Sequence, residues 1–86
     1  MEIKILGPGC AKCNKLYRET EAALEETGVS AQLTKVERID EILTYGVAIT
    51  PGLVIDGQVL SVGKVPRRSQ IAEWIRTVAD RPQSSP

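Results

Sequence analysis

The stretch EIKILGPGCAKC, residues 2 to 13, decides the fold. Its first five residues alternate, with Ile3 and Ile5 on one face, which is the period of a β-strand. Gly7, Pro8 and Gly9 follow at once, and such a run ends a strand in a turn. Cys10 and Cys13, the only two cysteines of the chain, come directly after that turn, where a helix begins. If the helix starts at or just after Cys10, helical rise and radius put the two Cα atoms about 5 Å apart. That lies inside the window of roughly 4.4 to 6.8 Å that a disulfide requires. Three readings of the pair are open: a redox couple, half of a metal site, or two small packing residues.

Composition narrows them. The chain has 86 residues, enough for one core, and a domain of this size buries only roughly 60 to 65% of its unfolded surface. Residues 1–80 are expected to form a single domain, with RPQSSP, 81–86, as a flexible tail. There is no phenylalanine, so the core must be mainly aliphatic. Lys plus Arg and Asp plus Glu number 11 each, without the basic excess that nucleic-acid backbones select, so no nucleic-acid partner is expected. The opening MEIKILGPG is too short and wrongly flanked for a signal peptide, and no run reaches the ~18 apolar residues of a membrane span. The expected location is therefore the cytoplasm, with no membrane partner. Thiols there are held reduced, and a disulfide is usually transient and catalytic or sensing. A bridge across two intervening residues would also constrain the unfolded chain little. With no histidine in the chain, Cys-His nucleophile pairs and histidine-containing zinc sites are excluded within one copy. Two sulfurs alone would need carboxylates or a second chain to complete a metal site.

The rest of the chain reads as alternating elements. From Cys10 to about Thr27 there is no Gly or Pro, and Cys13, Leu16, Thr20, Ala23, Leu24 and Thr27 follow helical spacing before Gly28 stops the helix. SAQLTKV, 30–36, is a weaker strand in which Ala31, Leu33 and Lys35 alternate with Gln32, Thr34 and Val36. RIDEILTYG, 38–46, is a short helix with Ile39, Ile42 and Leu43 on its packed spacing. LVIDG and QVLSV, 53–57 and 58–62, meet at Asp56-Gly57, the strongest short hairpin signal. A last amphipathic helix, 69–80, carries Ile71, Trp74, Ile75 and Val78. The order β-α-β-α-β-β-α predicts an α/β fold. Strands joined through a helix run parallel and the hairpin strands antiparallel, giving a mixed four-stranded sheet flanked by helices.

At a helix start the two cysteines are unequal. A thiolate at the first position meets unpaired backbone N–H groups and the positive end of the helix dipole, which lowers its pKa from about 8.5. Cys10 is the expected nucleophile and Cys13 the sheltered resolving thiol. The helix also inverts the usual charge order, with Lys12 and Lys15 in its first turns and Glu25 and Glu26 in its last. Lys12 and Lys15 are either solvated surface residues or groups that tune the Cys10 thiolate.

A CxxC pair after a first strand and at the start of a helix is the thioredoxin-like redox signature. YGVAITPGLVIDG, 45–57, resembles the superfamily stretch in which a Tyr-Gly-Val/Ile segment leads to a proline, a hydrophobic strand and a hairpin turn. From about residue 2 to 79 the sequence resembles the thioredoxin superfamily. It is most like the small prokaryotic, glutaredoxin-sized redox-active disulfide proteins. The resemblance implies the thioredoxin fold, with Pro51 as the cis-proline beside the cysteines and Thr50 offering its backbone to an extended substrate. It likewise implies that Gly63 lets substrate approach that edge. Val47, Ala48 and Ile49, with Pro8, would form a docking surface; ordinary loop packing is the other reading of those three loop residues.

Several positions depart from the pattern. No Trp precedes the motif, Ala11-Lys12 between the cysteines is neither Gly-Pro nor Pro-Tyr, and Lys4 lies mid-strand where no acid matches the thioredoxin carboxylate. SVGK, 61–64, lacks the Gly-Gly-x-Asp that grips glutathione in glutaredoxins. The reading is a monomeric thiol:disulfide oxidoreductase without a cofactor, working through a reversible Cys10–Cys13 disulfide on disulfide-containing substrate proteins or small disulfides. An upstream thioredoxin-reductase-like donor would supply its electrons. The alternative is a module that binds or delivers a soft metal or metalloid between two thiols.

Overall fold

A computed structural model of the chain describes residues 1–80; the expected tail, 81–86, lies outside the described residues. The elements are β1 (Glu2–Leu6), α1 (Ala11–Thr27), β2 (Gln32–Val36), α2 (Ile39–Leu43), β3 (Gly52–Ile55), β4 (Gln58–Val62) and α3 (Arg68–Asp80). They form one four-stranded sheet in the order β2-β1-β3-β4. β1 runs parallel to β2 and antiparallel to β3, and β3 is antiparallel to β4. This is the mixed sheet expected from the element order.

Alternation along the strands sorts side chains into two layers. Ile3 and Ile5 of β1 stand beside Ile55 and Leu53 of β3. All four pack against Leu16 and Ala23 of α1 and Ile71, Ala72, Ile75 and Val78 of α3. Leu6, Val36 and Val54 point the other way and meet Ile42 and Val47 of the α2 segment. The core is aliphatic on both sides. At about 25 cal/mol per Å² of apolar surface removed from water, such burial is the main term holding a domain this small together.

Local signals account for the boundaries. Gly28 caps α1 in the left-handed conformation at φ 69°, its N–H bonded to the Leu24 carbonyl. Thr20, fully buried, satisfies its hydroxyl by donating to the Leu16 carbonyl at 2.8 Å. Asp56 and Gly57 both have positive φ, 48° and 82°, as the hairpin turn between strands of right-handed twist demands. The register shifts between Leu53 and Val54: Leu53 faces Ser61 whereas Val54 faces Val59. Leu60 is thereby the extra residue of a bulge.

Two elements are shorter than expected. β2 begins at Gln32, not residue 30, and is an edge strand whose Gln32, Thr34 and Lys35 are exposed. With a partner on one side only, its alternation has little burial to respond to. Lys35 leans back over α1, its Nζ 4.9 Å from the Tyr17 ring centre and 3.5 Å from Asn14 Oδ1. α2 ends at Leu43, not Gly46, because Thr44, Tyr45 and Gly46 bond three residues back, to Glu41, Ile42 and Leu43. That tighter winding closes the helix, and Gly46 at φ 75° turns the chain away. No helix among the described residues is long and apolar enough to cross a membrane.

Candidate active site

Cys10 is the N-cap of α1, held in extended backbone (φ −70°, ψ 167°) by the turn before it. Its carbonyl accepts the first helical bond, from Asn14 N–H at 3.0 Å. Its sulfur occupies the place of a capping oxygen and accepts the Cys13 N–H at 3.3 Å. A helix start leaves its first N–H groups without helical partners, and an anionic sulfur is favoured there. The Cα atoms of Cys10 and Cys13 are 5.1 Å apart and the two sulfurs are bonded as a disulfide. Cys10 is exposed, whereas Cys13 retains 3% of its surface, one turn into the helix and facing the sheet.

Gly7 explains how Cys13 fits. A Cβ at Gly7 would collide with Cys13 Sγ and would lie 3.1 Å from Cys13 Cβ and 3.7 Å from Thr50 Cβ. The sulfur therefore fills the space a side chain would take, and the loop carrying Thr50 closes over the same spot. The Thr50–Pro51 bond is cis, and Pro51 is buried. The Pro51 carbonyl accepts Gly63 N–H at 2.8 Å. Gly63 has φ 77°, and a Cβ there would lie 2.9 Å from Ile49 Cγ2. The structure thus brings together Cys13, Thr50, Pro51, Ile49 and Gly63, which in sequence fall into segments far apart.

Beside this point lies an apolar groove of about 150 Å³, lined by Pro8, Ile39, Ile42, Leu43, Val47, Ala48 and Thr50. Of the residues read as a docking surface, Pro8, Val47 and Ala48 line it, though Val47 is buried and serves the core as well. Ile49 is 64% exposed and stands outside the groove lining, against Gly63. Ile39 and Leu43 were not expected here. Their helical spacing reads as core, yet they are 66% and 55% exposed, and of the three apolar residues of α2 only Ile42 is buried. Their signal in the sequence was the helix's brevity, since five residues offer one buried position per turn.

Charged groups complete the surroundings. Lys12 and Lys15 are both exposed on the first turns of α1. The Glu37 carboxylate lies 3.3 Å from where a Gly9 Cβ would be, next to the cysteine turn; as an isolated acid after β2 it gave no sign of this. Lys4, mid-strand on the α2 side, donates from Nζ to the Tyr45 hydroxyl at 2.8 Å and lies 3.6 Å from Glu2 Oε1. The Tyr45 hydrogen bond, with Glu2 assisting and burial opposing, holds the Lys4 ammonium above its usual 10.5. Trp74 packs on the α1/α3 side of the core.

An exposed cysteine at a helix start, bonded to a buried one a turn further on, is the arrangement of a dithiol:disulfide oxidoreductase. The chain belongs to the thioredoxin domain family, whose model matches residues 1–76. It is 37% identical over 71 residues to a thioredoxin of Methanothermobacter thermautotrophicus, covering 83% of this chain and 92% of that protein. It is also 37% identical over 75 residues to a thioredoxin of Methanocaldococcus jannaschii, covering 87% and 86%. The family and both relatives speak for disulfide exchange, and the dithiol metal-binding reading finds no support among them; among the described residues no group of three or more Cys, Asp or Glu is arranged to hold a metal ion.

Proposed function

We propose that Cys10 is the attacking thiolate and Cys13 the resolving thiol of a reductase for protein disulfides. The unequal exposure of the two sulfurs carries this reading: an incoming disulfide can reach Cys10, capped by a backbone N–H, but not Cys13, packed against Gly7. Cys10 Sγ attacks a substrate sulfur, the substrate's other sulfur leaves as a thiolate, and a mixed disulfide forms. Cys13 thiolate then attacks Cys10 Sγ and releases the second substrate thiol. One disulfide is reduced, the protein dithiol becomes Cys10–Cys13, and two electrons pass without a cofactor. The groove beside Pro8 and Thr50, with the buried Pro51 beneath and Ile49 and Gly63 beside it, would receive the extended segment carrying that disulfide. A donor resembling thioredoxin reductase would return the protein to its dithiol form, in a reducing cytoplasm. Residues 1–80 would act as one domain and one copy.

Lys12 and Lys15 would favour the Cys10 thiolate electrostatically. Cys13→Ser is expected to trap a mixed disulfide through Cys10, visible by mass spectrometry, and Cys10→Ser to be inactive; equal residual activity in both variants would contradict the assigned roles. In the Cys13→Ser background, adding Lys12→Ala and Lys15→Ala should raise the Cys10 pKa read from the pH dependence of alkylation. An unchanged value would make the lysines ordinary surface residues.

A further inference from the structure

Acids and bases are equal in number, 11 each, but they are not evenly mixed. On the α1/α3 side of the redox pair, a groove of about 350 Å³ between α1 and the loop from β4 to α3 is lined by Lys15, Glu19, Arg67 and Arg68, with Val65 and Pro66 at its base. A second hollow of about 460 Å³ continues along that loop past Lys64, Arg67 and Trp74. Arg68 is engaged by Glu19 at 3.3 Å. Among the described residues Lys12, Lys15, Lys64 and Arg67 have no carboxylate within ion-pairing distance. Neither α1 nor α3 has an acid in its first turn, so the positive ends of both helix dipoles stand uncompensated beside these bases.

This basic face abuts the redox site. The loop bearing Lys64 and Arg67 starts at Gly63, which is bonded to the Pro51 carbonyl and packed beside Ile49. Lys12 and Lys15 continue it along the helix that begins at Cys10. The apolar groove lies on the other side, against α2. A polypeptide crossing Cys10 would therefore have one flank over apolar surface and the other near Lys12, Lys15, Lys64 and Arg67, which pair with no carboxylate among the described residues.

We propose that this face receives an acidic stretch of the polypeptide that carries the substrate disulfide, so that the protein selects substrates with Asp or Glu flanking one side of the cystine. The inference rests on the oxidoreductase reading, and the covalent steps are those given above. Each exposed ion pair adds little, but an excess of one sign beside a reactive sulfur raises encounter rates by roughly 10 to 10³-fold, and salt suppresses the gain; Glu37 near Gly9 and Glu19, engaged by Arg68, are the acids that subtract from it. A protein partner is favoured over a nucleic acid because the cations adjoin a group whose chemistry is thiol–disulfide exchange.

The test uses the full chain, reduced beforehand with dithiothreitol and freed of it, in single turnovers. Its substrates are bis(2-hydroxyethyl) disulfide and two cystine peptides identical but for three Glu or three Lys on one flank. The acidic peptide is expected to react about tenfold faster than the basic one at low salt, with the ratio approaching one at high salt. A Lys64→Glu, Arg67→Glu variant should invert the ratio; being internal to each protein, it cancels any general change in reactivity. Equal rates for the two peptides at low salt would overturn the proposal, as would salt-sensitive capture of a single-stranded oligonucleotide with no peptide preference. Failure to reduce even the small neutral disulfide would instead sink the oxidoreductase reading, and this proposal with it.

Discussion

At Gly7 the site is built around an atom that is missing. The space of its Cβ is occupied by Cys13 Sγ, with Thr50 close behind, so any other residue forces the sulfur, the helix or the Thr50 loop to move. Gly7→Ala is expected to destabilise the protein by about 1 to 3 kcal/mol, the usual range for overpacking a filled site. The measurement is the urea midpoint of the oxidised chain. An unchanged midpoint would mean that the loop yields freely. Of the residues around the cysteines, those placed by neighbours in sequence were legible beforehand: Cys10 at a helix start, the Gly-Pro-Gly turn, Gly28 and the Asp56-Gly57 hairpin. Those placed by distant segments had no local signal, and only the family resemblance put Pro51 beside the cysteines. The contact of Gly7 with Thr50 and the approach of Glu37 to Gly9 depend on how β1, β2 and the loop before β3 come together, which no local pattern encodes.

Among the elements, α2 shows how one helix serves two purposes. Ile42 is buried at 3% exposure in the cluster of Leu6, Val36, Val47 and Val54, whereas Ile39 lies at 66% on the groove. Ile42→Ala should cost about 2 to 5 kcal/mol in denaturant unfolding. Ile39→Ser should leave stability within about 0.5 kcal/mol and slow the reduction of peptide disulfides. Comparable destabilisation by both would return Ile39 to the core and empty the groove of meaning. Periodicity marks which residues of a helix can share a face, but the width of the buried stripe depends on what the helix packs against. That is why α2 was legible as a helix and its outer residues were not legible as a site. The bulge at Leu60 escaped for a similar reason, since a slip in pairing belongs to two strands at once.

For the whole molecule, the link from Lys4 to Tyr45 ties the centre of the sheet to the segment after α2. The folded state holds the Lys4 proton above the usual 10.5, chiefly through the Tyr45 hydroxyl. Its stabilising contribution is therefore fully present below that pH and is lost as pH rises through the higher folded value. Wild-type stability should fall more steeply above pH 10.5 than that of Lys4→Met, as followed by urea midpoints across that range; parallel profiles would dissociate the lysine from global stability. A different consequence comes from the outer strand β2. Its exposed residues are Gln32, Thr34 and Lys35, with Lys35 folded back onto Tyr17 and Asn14. A strand from another molecule would meet polar side chains and a charge at that border. Along the β2 border the protein thus offers crowded neighbours no greasy seam on which to stack, while the apolar rim beside the cysteines stays open to visitors.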